Sequence, residues 1–165
     1  MLIRHHIENA DEICALWTEI IEDQVFLTMD SPYPLVKEQM RKMLHAGFVF
    51  HVVTARQYED RAIQQIKQLG LSPLISGLFV TRHGPQGKPL SPKHQLTAGL
   101  GLSAIVGDTE MDMQWAEQLG IAFLPISCGA RCQEFWLERG VRPYATAISA
   151  LEALRTLRLH ESAIP

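Results

Sequence analysis

Ala104-Ile105-Val106-Gly107-Asp108-Thr109-Glu110-Met111-Asp112 decides how this 165-residue chain is read. A short apolar run ends in a glycine, and two carboxylates follow, four residues apart. Such a run, with turn residues behind it, reads as a buried strand of a parallel sheet. In α/β folds the carboxyl ends of the strands border the ligand crevice, so this strand delivers Asp108 there. Asp112 lies one helical turn further on and looks back at the same spot. Two hard oxygen donors in that position suit a divalent cation such as magnesium.

Working outward, the chain from about residue 34 alternates helix-like and strand-like segments with clear punctuation. Leu35, Val36, Met40, Met43 and Leu44 mark one helical face, which Gly47 terminates. Residues 48–53 then read as a buried strand ending at Thr54. A second helix carries Ala62, Ile63, Ile66 and Leu69 up to Gly70. Residues 74–80 form a weaker strand interrupted by Ser76-Gly77, and residues 82–92, with two glycines and three prolines, read as loop. A short helix from Lys93 leads to the strand at 103–106. Met111, Trp115, Ala116 and Leu119 make the next helix, closed by Gly120. Residues 121–126 include Pro125, which places that strand near a sheet edge. Phe135, Trp136 and Leu137 sit in a short helix, and Ile148, Leu151, Leu154 and Leu157 in the last one. The pattern predicts a single α/β domain over 1–165: a three-layer, Rossmann-like parallel sheet with helices on both faces. Its strand ends collect Thr54-Ala55-Arg56, Arg82-His83, Gly107-Asp108-Thr109 and Cys128-Gly129 on one edge. Residues 1–33 stand apart from the alternation, with a helical apolar stripe from Ala10 to Phe26.

Composition narrows the classes. The chain is 47% hydrophobic and 20% charged with a net charge of −3, which supports a good core and gives no general attraction to nucleic acid or anionic membrane. Three cysteines argue against a disulfide framework. No apolar run approaches the roughly 20 residues of a membrane span, and the first residues lack a signal-peptide core. The expected location is cytoplasmic.

Residues 34–157 resemble the haloacid dehalogenase-like (HAD) hydrolases, most of which are magnesium-dependent phosphatases. The family's second motif is a threonine or serine ending an apolar strand, matched by Thr54. Its third is a lysine opening a helix ahead of the last motif. Lys93 suits it, and Lys88, which precedes a proline, competes. Its fourth, strand-GDxxxD, is matched by Gly107 to Asp112. Thr54-Ala55-Arg56 and Lys88-Pro89…Lys93-His94-Gln95 also look like bacterial class B acid phosphatases. The resemblance implies hydrolysis of a phosphorylated small molecule with Mg2+ held by Asp108 and Asp112, and no substantial cap domain. Thr54, the backbone at Ala55, Arg56 and Lys93 would then hold the phosphate. Such cations are needed because a carboxylate nucleophile cannot approach an anionic phosphoester unscreened. A homo-oligomer is compatible with the apolar last helix.

The family's first motif, an Asp-x-Asp pair after the central strand, has no match upstream of Thr54. Two degenerate substitutes exist: residues 1–5 as a strand leading into His6-Ile7-Glu8, or residues 25–27 leading into Thr28-Met29-Asp30. In the family's sheet that strand lies between those of Thr54 and Asp108. Leaving its place empty would orphan two rows of backbone groups. Residues 1–6 are the favoured occupant, with Glu8 or Asp30 as weak acid candidates and His6 a remoter nucleophile. The alternative function is an inactive HAD-like domain that binds phosphate, metal or a protein partner. Plainer uses also exist. Asp108 and Asp112 can cap a helix, Arg56 can pair at the surface, and Cys128 and Cys132 can be ordinary thiols.

Overall fold

The computed structural model describes residues 20–56, 58–81 and 92–161 together with Asn9, Glu12, Ile13 and Leu16, with side chains through Thr156. Four short strands carry the architecture: β1 (His51–Thr54), β2 (Gly77–Val80), β3 (Ala104–Gly107) and β4 (Ala122–Pro125). β1 and β2 run parallel with Thr54 opposite Val80, and β3 and β4 run parallel with Gly107 opposite Pro125. Among the described residues the helices with defined bounds that accompany them include α1 (Gln24–Met29), α2 (Val36–His45), α3 (Glu59–Gln68), α4 (Lys93–Leu96), α5 (Glu110–Leu119), α6 (Gln133–Leu137) and α7 (Ala147–Glu161). Parallel neighbours need a crossover, and α3 and α5 supply one for each pair.

Neighbouring residues of β3 project to opposite faces, as a strand requires, and so join different cores. Ile105 packs with Trp115 and Ala116 of α5, and Val53 of β1 leans on the same cluster. Val106 packs with Met40 and Met43 of α2, Leu74 and Leu151 of α7, where Phe50 also belongs. Each strand pair therefore contributes to both clusters, which makes the pairs halves of one body. Among the described residues, β1 has a strand partner only in β2 and β3 only in β4.

The alternation read from sequence holds, with shifts that have local causes. The first strand begins at His51, three residues late, because its partner begins only at Gly77. The ladder nevertheless extends one bond further, from Ser76 N–H to the Phe50 carbonyl at 2.7 Å. Pro125 ends β4, and beyond it the Tyr144 N–H bonds the Pro125 carbonyl at 2.8 Å, next to a parallel bridge between Ile126 and Tyr144. The apolar stripe over 10–26 does not form one helix. Asp23 interrupts it and accepts from Val25 N–H at 2.7 Å, capping a separate α1. That corrects the strand expected at 25–27: the segment is helical, with Leu27 buried, and Asp30 follows a helix end instead of a strand end. The alternative strand at 1–6, with His6 and Glu8, lies outside the described residues, as do Arg82, His83 and Lys88. None of the described helices is long and apolar enough to cross a membrane.

Leu35 enters α2 in the left-handed region, at φ 65°, with no side-chain cap and 67% of its surface exposed. A β-carbon there costs about 1 kcal/mol or more. Asparagine tolerates that conformation, and little burial is forfeited. Leu35→Asn is therefore expected to raise stability by about 0.5–1 kcal/mol, or roughly 1–4 °C in Tm, in a thermal melt. A lowered Tm would show that the leucine contributes something its exposure hides.

Candidate active site

Gly107 ends β3 where Asp112 comes back over it. A β-carbon on Gly107 would stand 2.5 Å from Cβ and 2.6 Å from Cγ of Asp112, so only glycine fits. Beyond it α5 opens with a reciprocal cap. Thr109 Oγ1 accepts from Asp112 N–H at 3.3 Å, and one Asp112 oxygen accepts from Thr109 Oγ1 at 2.7 Å and Thr109 N–H at 3.3 Å. The other Asp112 oxygen takes the Lys93 ammonium, with both side chains almost buried. Lys93 arrives from the first turn of α4. Thr97 Oγ1 donates to its carbonyl at 2.8 Å and accepts from Trp115 Nε1 at 3.2 Å. Lys93 and Asp112 are thus brought together as expected, but chiefly upon each other.

Asp108 is placed differently. Its Oδ2 accepts from Ala130 N–H at 2.6 Å, in the turn after β4. Gly129 abuts it so closely that a β-carbon would lie 2.6 Å from both Cβ and Cγ of Asp108. Among the described residues Asp108 has no ion pair and its Oδ1 has no hydrogen bond. Among the described residues, the cations near it are held by other carboxylates: Lys93 by Asp112, Arg56 by Asp30 at 3.6 Å, and Arg131 by Glu110 through two bonds of 2.8 Å. Arg56, expected to grip phosphate, also donates to the Ile21 carbonyl. Thr54 sits half-buried at the end of β1, and Ala55 beside it is exposed.

The segment between α1 and α2 ties the two strand pairs together. Asp30 reaches Arg56 beyond β1 and takes a hydrogen bond from Gln65 of α3. Three residues on, Tyr33 donates its hydroxyl to the Cys128 carbonyl beyond β4 at 2.9 Å. Three residues span at most about 11 Å, so the carboxyl ends of both pairs face one short segment. Tyr33 is the residue that sequence reasoning missed. Hydrogen bonding and charge at Cys128, then burial, hold its phenol above the ordinary value, with Asp108 adding a smaller effect.

Hydrogen bonding from Arg131 holds the Glu110 carboxyl below the ordinary glutamate value. A depressed folded-state value means that the stabilisation is complete above the unfolded value, about 4.3. It is lost as pH falls through the folded one. Thermal melts between pH 6 and 3 should show this acid-side loss. Arg131→Gln should remove that part of the slope and cost about 1 kcal/mol or less at pH 7, since Glu110 is partly exposed. A melting profile that Arg131→Gln leaves unaltered would overturn the assignment.

At the end of β3 Asp108 offers a hard cation one carboxylate oxygen without a hydrogen bond, and it makes no ion pair among the described residues. No group of three or more His, Cys, Asp or Glu side chains stands ready to hold a metal among them. The fit is of donor type and charge, at Asp108 alone.

No protein-family model and no curated protein matches the chain. Solved structures do. A protein described as a candidate phosphoglycolate phosphatase, from Lactobacillus delbrueckii subsp. bulgaricus, aligns at TM-score 0.58 and 18% identity over 74% of this chain. A haloacid dehalogenase-like family hydrolase from Streptococcus pneumoniae aligns at TM-score 0.61 and 22% identity over 79% of it. This chain covers 52% of the first protein and 62% of the second, so it spans less than two thirds of either. The likeness is one of fold: a mixed α/β, HAD-like arrangement with parallel strands.

Proposed function

We propose that this chain is a HAD-type phosphohydrolase core that acts on small phosphomonoesters with a magnesium ion at Asp108. What supports the reading is the order Thr54, Lys93, Asp108, Asp112 along the chain, with Thr54 ending β1, Asp108 directly after β3, and Lys93 of α4 paired with Asp112 of α5. We read the whole as a three-layer sheet without a substantial cap, in which a fifth strand lies between β1 and β3. Residues 1–6 are its favoured source.

The charges explain why a cation belongs here. With Lys93, Arg56 and Arg131 already in ion pairs, Asp108 adds negative charge at this edge, which repels a phosphate dianion. A divalent ion on Asp108 would reverse that sign and polarise the phosphoryl oxygens. Thr54 Oγ1 and the backbone beyond it orient the oxygens. Lys93, kept in place by Asp112, adds positive potential without being free to wander. Asp112, with both oxygens engaged, positions Lys93 and caps α5 in this reading, so the ion rests mainly on Asp108.

A second reading, a phosphate- or metal-binding domain without turnover, is favoured by one fact: no Asp-x-Asp pair occurs upstream of Thr54 to supply a nucleophile. Turnover decides between them. The enzyme reading expects Mg2+-dependent release of p-nitrophenol from its phosphate, abolished by chelation. Activity on a panel of small phosphomonoesters, 2-phosphoglycolate included because of the structural neighbour, would follow. Binding of inorganic phosphate with Mg2+ but no turnover of any panel member would leave the second reading standing.

A further inference from the structure

Tyr33 is 48% exposed, so burial does not explain where it is held. Its backbone is nonetheless anchored. The Tyr33 carbonyl accepts from Val36 N–H at 3.2 Å, Pro34 follows, and Leu35 turns left-handed into α2. From that anchor the phenol crosses to the far strand pair and donates to the Cys128 carbonyl at 2.9 Å. The next two residues of that turn are the ones that touch Asp108. Gly129 lies against its Cβ and Cγ, and Ala130 N–H bonds its Oδ2 at 2.6 Å. Tyr33 is thus joined to Asp108 through three consecutive residues, Cys128, Gly129 and Ala130.

We propose that Tyr33 is a positioning residue for Asp108: it fixes the Cys128–Ala130 turn, which engages one carboxylate oxygen and leaves the other, unbonded among the described residues, for a divalent cation. The inference rests on the proposed function in one respect, that Asp108 receives a cation. Its physical content is pre-organisation. A carboxylate free to rotate must be ordered when the ion binds, whereas one clamped by Ala130 and Gly129 is ordered beforehand. The bond runs from a side chain to a backbone carbonyl 95 residues away, so Tyr33 acts from outside the ion's own contacts.

The test is a calorimetric titration of the purified chain with Mn2+, a spectroscopically convenient stand-in for Mg2+, beside a thermal melt of each variant. Tyr33→Phe keeps the ring and removes the donor. Expected is an Mn2+ affinity weakened about tenfold, in line with the loss of an outer partner of a metal ligand, with Tm within about 3 °C of the parent. A merely structural tyrosine would move Tm and leave the affinity alone. Gly129→Ala disrupts the same turn directly, so Tyr33→Phe in that background should add little further loss if both act through one path. Parental Mn2+ affinity in Tyr33→Phe, or full additivity in the double variant, overturns the inference while leaving the cation reading intact. A parent that binds no Mn2+ overturns both, and that result is told apart by the parent alone.

Discussion

Replacing Lys93 by alanine is expected to lower the stability of the folded chain by about 3 kcal/mol, the cost of leaving a buried charge without its partner. Asp112 is only 7% exposed, and after the change its carboxylate would keep the Thr109 donors and lose its counter-ion. The lysine's contact over the Trp115 ring, 5.6 Å from the centroid, would go as well. For a chain of this size the loss corresponds to a fall in Tm of roughly 6–12 °C. The cause is isolated by a second change. Asp112→Asn in the Lys93→Ala background removes the stranded charge and keeps an oxygen for Thr109, so it should recover most of the loss. Chemical denaturation of the parent, both single variants and the double variant closes the cycle. A Lys93→Ala protein within about 0.5 kcal/mol of the parent would mean that Asp112 finds water or another cation, and that Lys93 is a surface group available to substrate. The prediction thus separates two uses of one lysine: support for the site and contact with phosphate.

How much of this was legible in the chain follows from what each feature depends on. The strands at 51–54 and 104–107 were legible because short apolar runs stopped by threonine or glycine have few other uses, and the strand-end positions of Thr54 and Asp108 came with them. Lys93 was legible as the residue that opens a helix after a loop rich in proline and glycine. The partner of Asp112 was not. Its position four residues after Asp108 suggests a shared ligand, yet the Thr109-x-x-Asp112 spacing equally describes a reciprocal helix cap, which is what forms. Arg56 stayed open for a related reason: a guanidinium beside a strand end can grip phosphate or pair at the surface, and only the fold shows Asp30 and the Ile21 carbonyl beside it. The break at Asp23 was hidden because the apolar spacing continues across it, and only the cap shows that a new helix starts. Tyr33 and Gly129 were out of reach altogether. Their importance lies in contacts across 95 and 21 residues of chain, and no periodicity encodes such a pairing. The Tyr33-Pro34 step into a helix and the Ser127-Cys128-Gly129 turn were signals of backbone geometry only.

Asp108→Asn should separate function from stability in the opposite sense to Lys93→Ala. The amide retains an oxygen that can accept from Ala130 N–H, so the turn after β4 keeps its bond. What disappears is a negative charge with no ion pair among the described residues. Removing an uncompensated charge costs the fold little, and Tm should stay within about 2 °C of the parent or rise. Binding should collapse. Loss of an outer partner alone costs about 10- to 100-fold in metal affinity, so loss of the ligand itself should exceed about a hundredfold for Mn2+ and remove any Mg2+-dependent turnover. Calorimetric titration and melts on one preparation test both halves together. Strong destabilisation without loss of Mn2+ binding would assign the carboxylate to the architecture and move the cation elsewhere. Retained stability with lost binding would make Asp108 a residue that the fold tolerates and the chemistry needs, a pattern expected where a site has been placed against the interest of the surrounding charge balance.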